Sequence, residues 1–271
     1  MLMVNNKISI ITVCYNAKEA LERTISSIKL QSFKIFEYII IDGGSQDGTL
    51  EVINRNLRLI SKWISEPDKG IYDAMNKGIK LASSDWLIFM NAGDIFASNN
   101  VLEKINNNLV NEYKIVYGNI IKVYNKHKEH ICGLNKRQLD AVDFVLHTID
   151  HQSAFIHQSL FSLYGLYDTS YKLASDWKFF FQTAGIRKVP TKYVDLDIAI
   201  FMMDGASTLG QDKYKKEENE ILKKEFGVYY SFMIELANYR KSSLIRNLYR
   251  IRMFLKERGL GKFKKIFRIK F

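Results

Sequence analysis

Only two prolines, Pro67 and Pro190, interrupt this 271-residue chain, and no stretch of it reads as a low-complexity linker or an internal repeat. Two cysteines, Cys14 and Cys132, are too few for a disulfide framework or a thiolate metal cluster. Five histidines include one pair at helical spacing, His147 and His151. Their surroundings, VDFVLHTIDHQSAFIH, read as strand and loop, so a zinc pair is not expected. No apolar run reaches the roughly 18 residues of a membrane span. The start, MLMVNNKISIITV, lacks the charged, apolar and cleavage regions of a signal peptide and reads as a strand. No G-x-S-x-G elbow or Ser-His-Asp order is present. A Rossmann oxidoreductase needs a dinucleotide fingerprint after the first strand, where this chain has CYNAKEA.

Excess charge is also missing from most of the chain. The formal net charge is +11, yet twelve of the 40 Lys and Arg lie in 240–271 beside a single acid, Glu257. Residues 1–239 therefore carry 28 charges of each sign. A nucleic-acid-coating body, which would spread positive charge over its folded face, is excluded. In the tail, Leu244, Leu248, Ile251 and Leu255 form an apolar stripe among basic residues, and Phe263, Ile266, Phe267 and Phe271 continue it. A basic amphipathic segment of this kind either adheres to an anionic membrane surface or packs its stripe on the body.

Strand and helix patterns alternate in the first 120 residues. Lys7–Cys14 and Glu37–Asp42 are β-branched runs typical of strands buried on both faces. Short strands are expected at Lys62–Ser65, Asp85–Met90 and Tyr113–Tyr117. Helices are expected after Asn16, which with Glu19 can form a cap, over Thr49–Ile60, from about Gly70, and over Val101–Leu109. Farther on, Tyr171–Gly185 and Lys213–Tyr239 read as helical, with a strand near Lys188–Phe201 between them. The alternation implies an α/β fold with a parallel sheet between helices. Tyr15, Asn16, Asp42, Asp68, Asn91 and Asp94 fall just after strand ends, the edge where open parallel sheets bind ligands.

The chemistry of these loops leaves alternatives. Asp42-Gly-Gly-Ser-Gln-Asp-Gly-Thr49 lacks a phosphate-loop pattern and reads as a tight turn, with Asp47 as a helix cap. Asp42 can accept from a base N–H or a ribose hydroxyl. Asp94 either caps the following helix or holds Mg²⁺ or Mn²⁺ carrying a diphosphate. Asp176 is either an N-cap or a general base.

The strings ISIITVCYN, YIIIDGGSQDGT, SEPDKGIYDAMNKGI and WLIFMNAGD, in this order and spacing, resemble family 2 glycosyltransferases of the GT-A fold. DHQSAFIHQSLFSLYGLYDTSYKLASDWKFF resembles the acceptor half of bacterial enzymes that build capsule, colanic-acid-type or O-antigen polysaccharide, and MDGAST at 203–208 fits a later loop. The resemblance implies a GT-A domain over 1–225, with a nucleotide-sugar half at 1–120 and an acceptor half at 121–225. A helical basic extension at 226–271 follows.

It further implies inverting transfer from a nucleotide sugar, with a UDP-sugar as the expected donor, to a hydroxyl of a saccharide or lipid-diphosphate-linked saccharide. Thr12, Val13, Tyr15 and Asn16 would surround the nucleoside, and Asp42 would hydrogen-bond the base. Asp68, Lys69 and Asn91 would lie beside the donor, with Asp73 and Asn76 on the helix below it, Asn76 serving either the donor or the structure. Asn91-Ala-Gly-Asp94 stands where the family has a D-x-D-D type motif, leaving Asp94 as the ligand of Mg²⁺ or Mn²⁺. Asp176 matches the catalytic base, and His151 and Gln152 would line the acceptor side. A peripheral position at the inner face of a bacterial cytoplasmic membrane is the matching location. The rival reading is a non-catalytic nucleotide-sugar-binding scaffold of the same fold, supported by the Asn91 and Gly93 departures.

Overall fold

Strand β1 (Ile8–Cys14) has every residue buried, as its unbroken β-branched run requires. The computed structural model describes residues 8–124, 127–136, 138–202 and 210–242. The MDGAST segment and the tail beyond Ser242 lie outside the described residues.

Around β1 the chain alternates: α1 (Lys18–Lys29), β2 (Phe36–Asp42), α2 (Thr49–Arg55), β3 (Lys62–Ser65), α3 (Ile71–Leu81) and β4 (Trp86–Phe89). A short β5 (Ile95–Phe96) and α4 (Val101–Asn106) precede the long β6 (Ile115–Tyr124) and β7 (His127–Ile131). Then come α5 (Ala141–Leu146), a 3₁₀ turn at His151–Ser153, β8 (Ala154–His157), α6 (Ser159–Tyr164) and α7 (Ser175–Phe180). A π-helical turn at Phe181–Ile186 leads to β9 (Thr191–Met202), α8 (Gln211–Phe226) and α9 (Tyr230–Lys241).

Among the described residues nine strands form one sheet in the order β3-β2-β1-β4-β8-β6-β9-β5, with β7 added on β6. β3, β2, β1 and β4 are parallel, as expected. The expectation of a parallel sheet holds less well beyond β4. β8 runs antiparallel to both β4 and β6, because it is a short return strand after α5 and not the product of a crossover. β6 and β9 are again parallel, with an irregular register near Gly118.

Alternate side chains of the central strands feed two cores. Ile11, Val13, Ile39, Ile41, Leu87 and Phe89 face α3 and an aromatic cluster of Phe161, Tyr167, Trp177, Phe179, Phe180 and Phe181. Ile8, Ile10, Tyr38, Ile40, Trp86 and Ile88 face the apolar stripes of α1, α2 and α4. This period of two is what a sheet covered on both faces dictates.

Several local expectations change. Asn16 does not cap α1: its backbone is left-handed (φ 45°) and its Oδ1 accepts from Gln46 N at 2.9 Å. Asp47 is not the N-cap of α2, which is Gly48; it stands one residue earlier and accepts from Thr49 N at 3.0 Å and from the Thr49 hydroxyl. The helix expected over Tyr171–Gly185 begins only at Ser175, because Glu217 of α8 takes the amide protons of Lys172, Leu173 and Ala174. α9 packs on the body, with Arg240 Nη1 pairing Asp140 Oδ1 at 2.7 Å. Among the described residues, no helix is long and apolar enough to cross a membrane.

Asn76 joins α3 to the loop between α6 and α7. Its Nδ2 donates to Tyr167 O at 2.8 Å, and its Oδ1 accepts from Tyr167 N at 2.9 Å. Both bonds are buried, so Asn76→Ala strands two backbone groups, each costing about 1–3 kcal/mol. Urea denaturation of this variant is expected to show a lower midpoint with an unchanged m-value.

Candidate functional site

The carboxyl-terminal ends of β1, β2, β3 and β4 open on one edge, and the polar residues that follow them split into two groups. The first surrounds Asp42. This side chain is 0% exposed and takes five donors: Gly44 N (3.1 Å), Ser45 N (3.0 Å), Ser45 Oγ (2.5 Å), Ser65 Oγ (2.6 Å) and Cys14 Sγ (3.6 Å). Burial alone would raise its pKa, but the Ser45 and Ser65 hydroxyls and the turn amides outweigh it and hold the carboxyl below its usual value. Asp42, expected to hydrogen-bond a nucleobase, stands at this edge among the donors of its own turn and of Ser65. A carboxylate has about four lone-pair sites, and here they organise the Gly-Gly-Ser turn.

Thr12, expected beside the nucleoside, ends up on the inner side of the same edge. It is fully buried, donating to Met90 O at 2.7 Å and accepting from Tyr38 Oη, so its side chain faces the core. Val13 is likewise a core residue. Tyr15, at 66% exposure, does stand open at the edge. Asn16 N donates to Ser45 Oγ at 2.7 Å and thereby ties the β1 and β2 loops together. Asp68 is held by Lys77 at 2.5 Å, and Asp73 Oδ2 accepts from Lys69 N at 3.1 Å. The Lys69 side chain is on the exposed rim.

The second group joins the β4 loop to α7. Asp176 lies in the first turn of α7 and is not its N-cap, which is Ala174. Its Oδ1 accepts from Tyr72 Oη at 2.7 Å and from Trp177 N at 2.9 Å. Its Oδ2 meets His151 Nδ1 at 2.7 Å. Burial raises its pKa, but the hydrogen bond and charge of His151 and the Tyr72 hydroxyl lower it further, leaving a carboxylate. For His151, burial lowers the pKa, and Asp176, then Asp94 and Asp150, raise it above the usual value.

His151 and Gln152 are thus not placed only on an acceptor side. His151 Nε2 is 3.1 Å from Asn91 Nδ2, so the ring bridges the β4 loop and Asp176. Which partner donates at Nε2 depends on the protonation of the ring. Gln152 hydrogen-bonds Asp94.

Asp94 is 3% exposed, and its Oδ2 accepts from Asn91 N at 3.1 Å. It caps no helix: α4 starts seven residues later, after Asn100. Burial pushes its pKa up to about 7, against the opposing charge of His151. Asn91 Oδ1 is buried without a hydrogen-bond partner. An unfilled amide oxygen three residues from a carboxylate suits a hard cation that takes its other ligands from a diphosphate. Among the described residues, no group of three His, Cys, Asp or Glu side chains could hold a metal alone. The donor set therefore fits a cation shared with a substrate and not an all-protein site.

Three contributors were not foreseen. Tyr72 sits within the GIYDAMNKGI string, where its position one turn before Asn76 on the buried face of α3 is the available signal. Ser65 shows no sequence signal beyond ending a strand. Glu217, 45 residues after Lys172, shows none, since only the tertiary fold brings it to the α7 loop.

The sequence model of Glycosyl transferase family 2 matches residues 9–162. A PGL/p-HBAD biosynthesis glycosyltransferase of Mycobacterium bovis is 31% identical over 205 residues, covering 71% of this chain and 75% of that protein. An uncharacterized glycosyltransferase of Mycobacterium tuberculosis is also 31% identical, over 185 residues, covering 65% and 68%. Among solved structures, Staphylococcus aureus TarS superposes with a TM-score of 0.65 at 14% identity. The match covers 89% of this chain and 44% of that longer one. The Pyrobaculum calidifontis mannosyltransferase PcManGT, solved with GDP-Man and Mn²⁺, gives 0.64 at 11% identity, covering 96% and 81%. These structures share the GT-A fold, and the match to the family spans more than half of the sequence. The chain belongs to glycosyl transferase family 2 and is a glycosyltransferase.

Proposed function

We propose that this enzyme transfers a sugar from a nucleotide-sugar donor to a hydroxyl of a saccharide or lipid-diphosphate-linked acceptor, with inversion, in cell-surface polysaccharide or glycolipid synthesis. The observation that carries this reading is Asp176, a carboxylate kept ionised by Tyr72 and His151 next to the Asn91–Asp94 loop. Related structures solved with UDP, UDP-GlcNAc and GDP-Man support the donor class.

In the proposed mechanism Asp176 accepts the proton of the acceptor hydroxyl as its oxygen attacks the anomeric carbon from the face opposite the leaving group. A single displacement inverts that carbon and needs no enzyme nucleophile. Tyr72 and His151 keep the carboxylate ionised and aimed, and His151 couples its position to the donor loop through Asn91. Asn91 Oδ1 and Asp94 would hold Mg²⁺ or Mn²⁺, which when bound supplies positive charge to the departing nucleoside diphosphate.

Asp176→Asn removes the proton acceptor and keeps the size of the side chain. Turnover is expected to fall about 10²–10⁴-fold, with donor affinity by calorimetry unchanged. Near-normal turnover would remove Asp176 from the chemistry. Asp94→Ala is expected to abolish the gain in donor affinity that Mg²⁺ or Mn²⁺ produces in the parent protein. Binding insensitive both to chelator and to this change would defeat the cation reading.

The basic segment beyond Ser242 is proposed to hold the enzyme on an anionic membrane surface, at the cytoplasmic leaflet where lipid-linked acceptors are extended. It carries ten of the twelve basic residues of 240–271. Arg240 is committed to Asp140, so the informative truncation ends at 242. Full-length protein is expected to co-sediment with anionic liposomes in a salt-sensitive way, and the 1–242 chain is not. Equal binding by both would end the membrane reading.

A further inference from the structure

A cavity of about 260 Å³ opens beside α7, on a different face of that helix from the Asp176 carboxyl. Ser175, Lys178, Phe179 and Gln182 line it at spacings of three and four, which is one side of a helix. The π-helical turn that follows α7 adds Thr183, and π turns inside helices gather at functional sites.

Two hydroxyls in the cavity wall have no partner. Tyr167 is 3% exposed and Ser175 1%, and neither Tyr167 Oη nor Ser175 Oγ makes a hydrogen bond. A buried polar group in that state is costly, and a ligand that exchanges hydrogen bonds with both would relieve the cost. Charge in the wall is also unbalanced. Lys178 Nζ pairs with Asp168 Oδ2 at 2.6 Å. Burial raises the Asp168 pKa, but Lys178 and the Ser170 hydroxyl outweigh it and bring it to about 2, so this pair is neutral as a unit. Arg187, at the rim, is different. Its guanidinium lies 5.0 Å from the centre of the Tyr164 ring, and among the described residues no carboxylate pairs with it.

We propose that this cavity is a second carbohydrate site, which takes one acidic sugar, a monosaccharide unit carrying a carboxylate or a phosphate. The oxyanion meets Arg187, and the ring hydroxyls exchange hydrogen bonds with Tyr167 Oη and Ser175 Oγ. Phe179 and Leu166 offer apolar contact to the C–H face of the ring. The volume lies just under the ~300–1,000 Å³ of drug-sized pockets, which suits a single sugar ring. The sugar class rests on the glycosyltransferase assignment, and the acidic group rests on the uncompensated guanidinium.

Calorimetry of the full chain with glucose, glucuronate, glucose 6-phosphate and inorganic phosphate tests this. Glucuronate or glucose 6-phosphate is expected to bind at least about tenfold tighter than glucose or inorganic phosphate. Arg187→Gln is expected to remove that margin over glucose. Ser175→Ala and Tyr167→Phe are each expected to weaken the acidic sugar about 2–10-fold. The melting temperature of the free protein is expected to hold or rise in both, because neither change breaks a hydrogen bond. Asp176→Asn is expected to leave acidic-sugar binding unchanged, which separates this site from the transfer cleft. A disaccharide ending in glucuronate that binds as tightly as glucuronate assigns the cavity to a unit of a saccharide chain. One that binds at least about tenfold more weakly assigns it to a free acidic sugar.

No binding of either acidic sugar, equal affinity for inorganic phosphate, or a margin that survives Arg187→Gln and disappears in Asp176→Asn would overturn the proposal. A lower melting temperature in both hydroxyl variants, with binding retained, would do the same. None of these outcomes bears on the nucleotide-sugar reading, which the turnover of Asp176→Asn tests separately.

Discussion

A negative charge held out of water at Asp176 is the constraint on which the arrangement of this enzyme depends. A buried carboxylate is costly unless donors surround it. The donors here come from separate parts of the chain: Tyr72 from α3, His151 from the 3₁₀ turn before β8, and the amide of Trp177. α3 must lie against β1 and β2 for the Tyr72 hydroxyl to arrive. β8 must insert beside β4 for His151 to reach both Asp176 and Asn91. A second carboxylate, Glu217, fixes the loop in front of α7 by taking three successive amides. One acid holds the backbone that presents the other.

Three aspartates at the sheet edge show how environment divides a single side-chain chemistry. Asp42 is saturated with hydroxyl and amide donors and serves as a turn organiser. Asp94, just as buried but with fewer donors, is driven toward the neutral form and would be returned to the charged form by a cation. Asp176 remains charged through a histidine and a tyrosine. The same residue type thus supplies architecture and, in the proposed mechanism, ligand and base, according to the number and kind of donors that the fold brings to it.

The N-terminal half was legible because its strands are buried on both faces, and β-branched runs such as ISIITV and YIII have few other uses. The edge residues followed from strand ends, and Asp94 and Asp176 from family resemblance. Side-chain direction was not legible. Thr12 and Asp42 stand at the right edge, yet they point inward to Met90 and to the Ser45 turn, since their hydroxyl and carboxyl find buried partners that no linear pattern displays. β8 and α6 were hidden because, unlike the equally short β3, β4 and α4, they lie beyond the regular strand–helix alternation of the first 120 residues. Glu217 was hidden because its three partners are made only when α8 returns across the acceptor half.

The paired hydrogen bonds between Asn76 and Tyr167 bear on how the enzyme cycles. They copy the donor–acceptor exchange of adjacent strands and join the helix under the donor edge to the aromatic core of the other half. Clamshell opening between these two regions would expose both bonds and the ring cluster around Tyr167 together. Two buried backbone bonds as well as ring packing therefore oppose any separation of these regions.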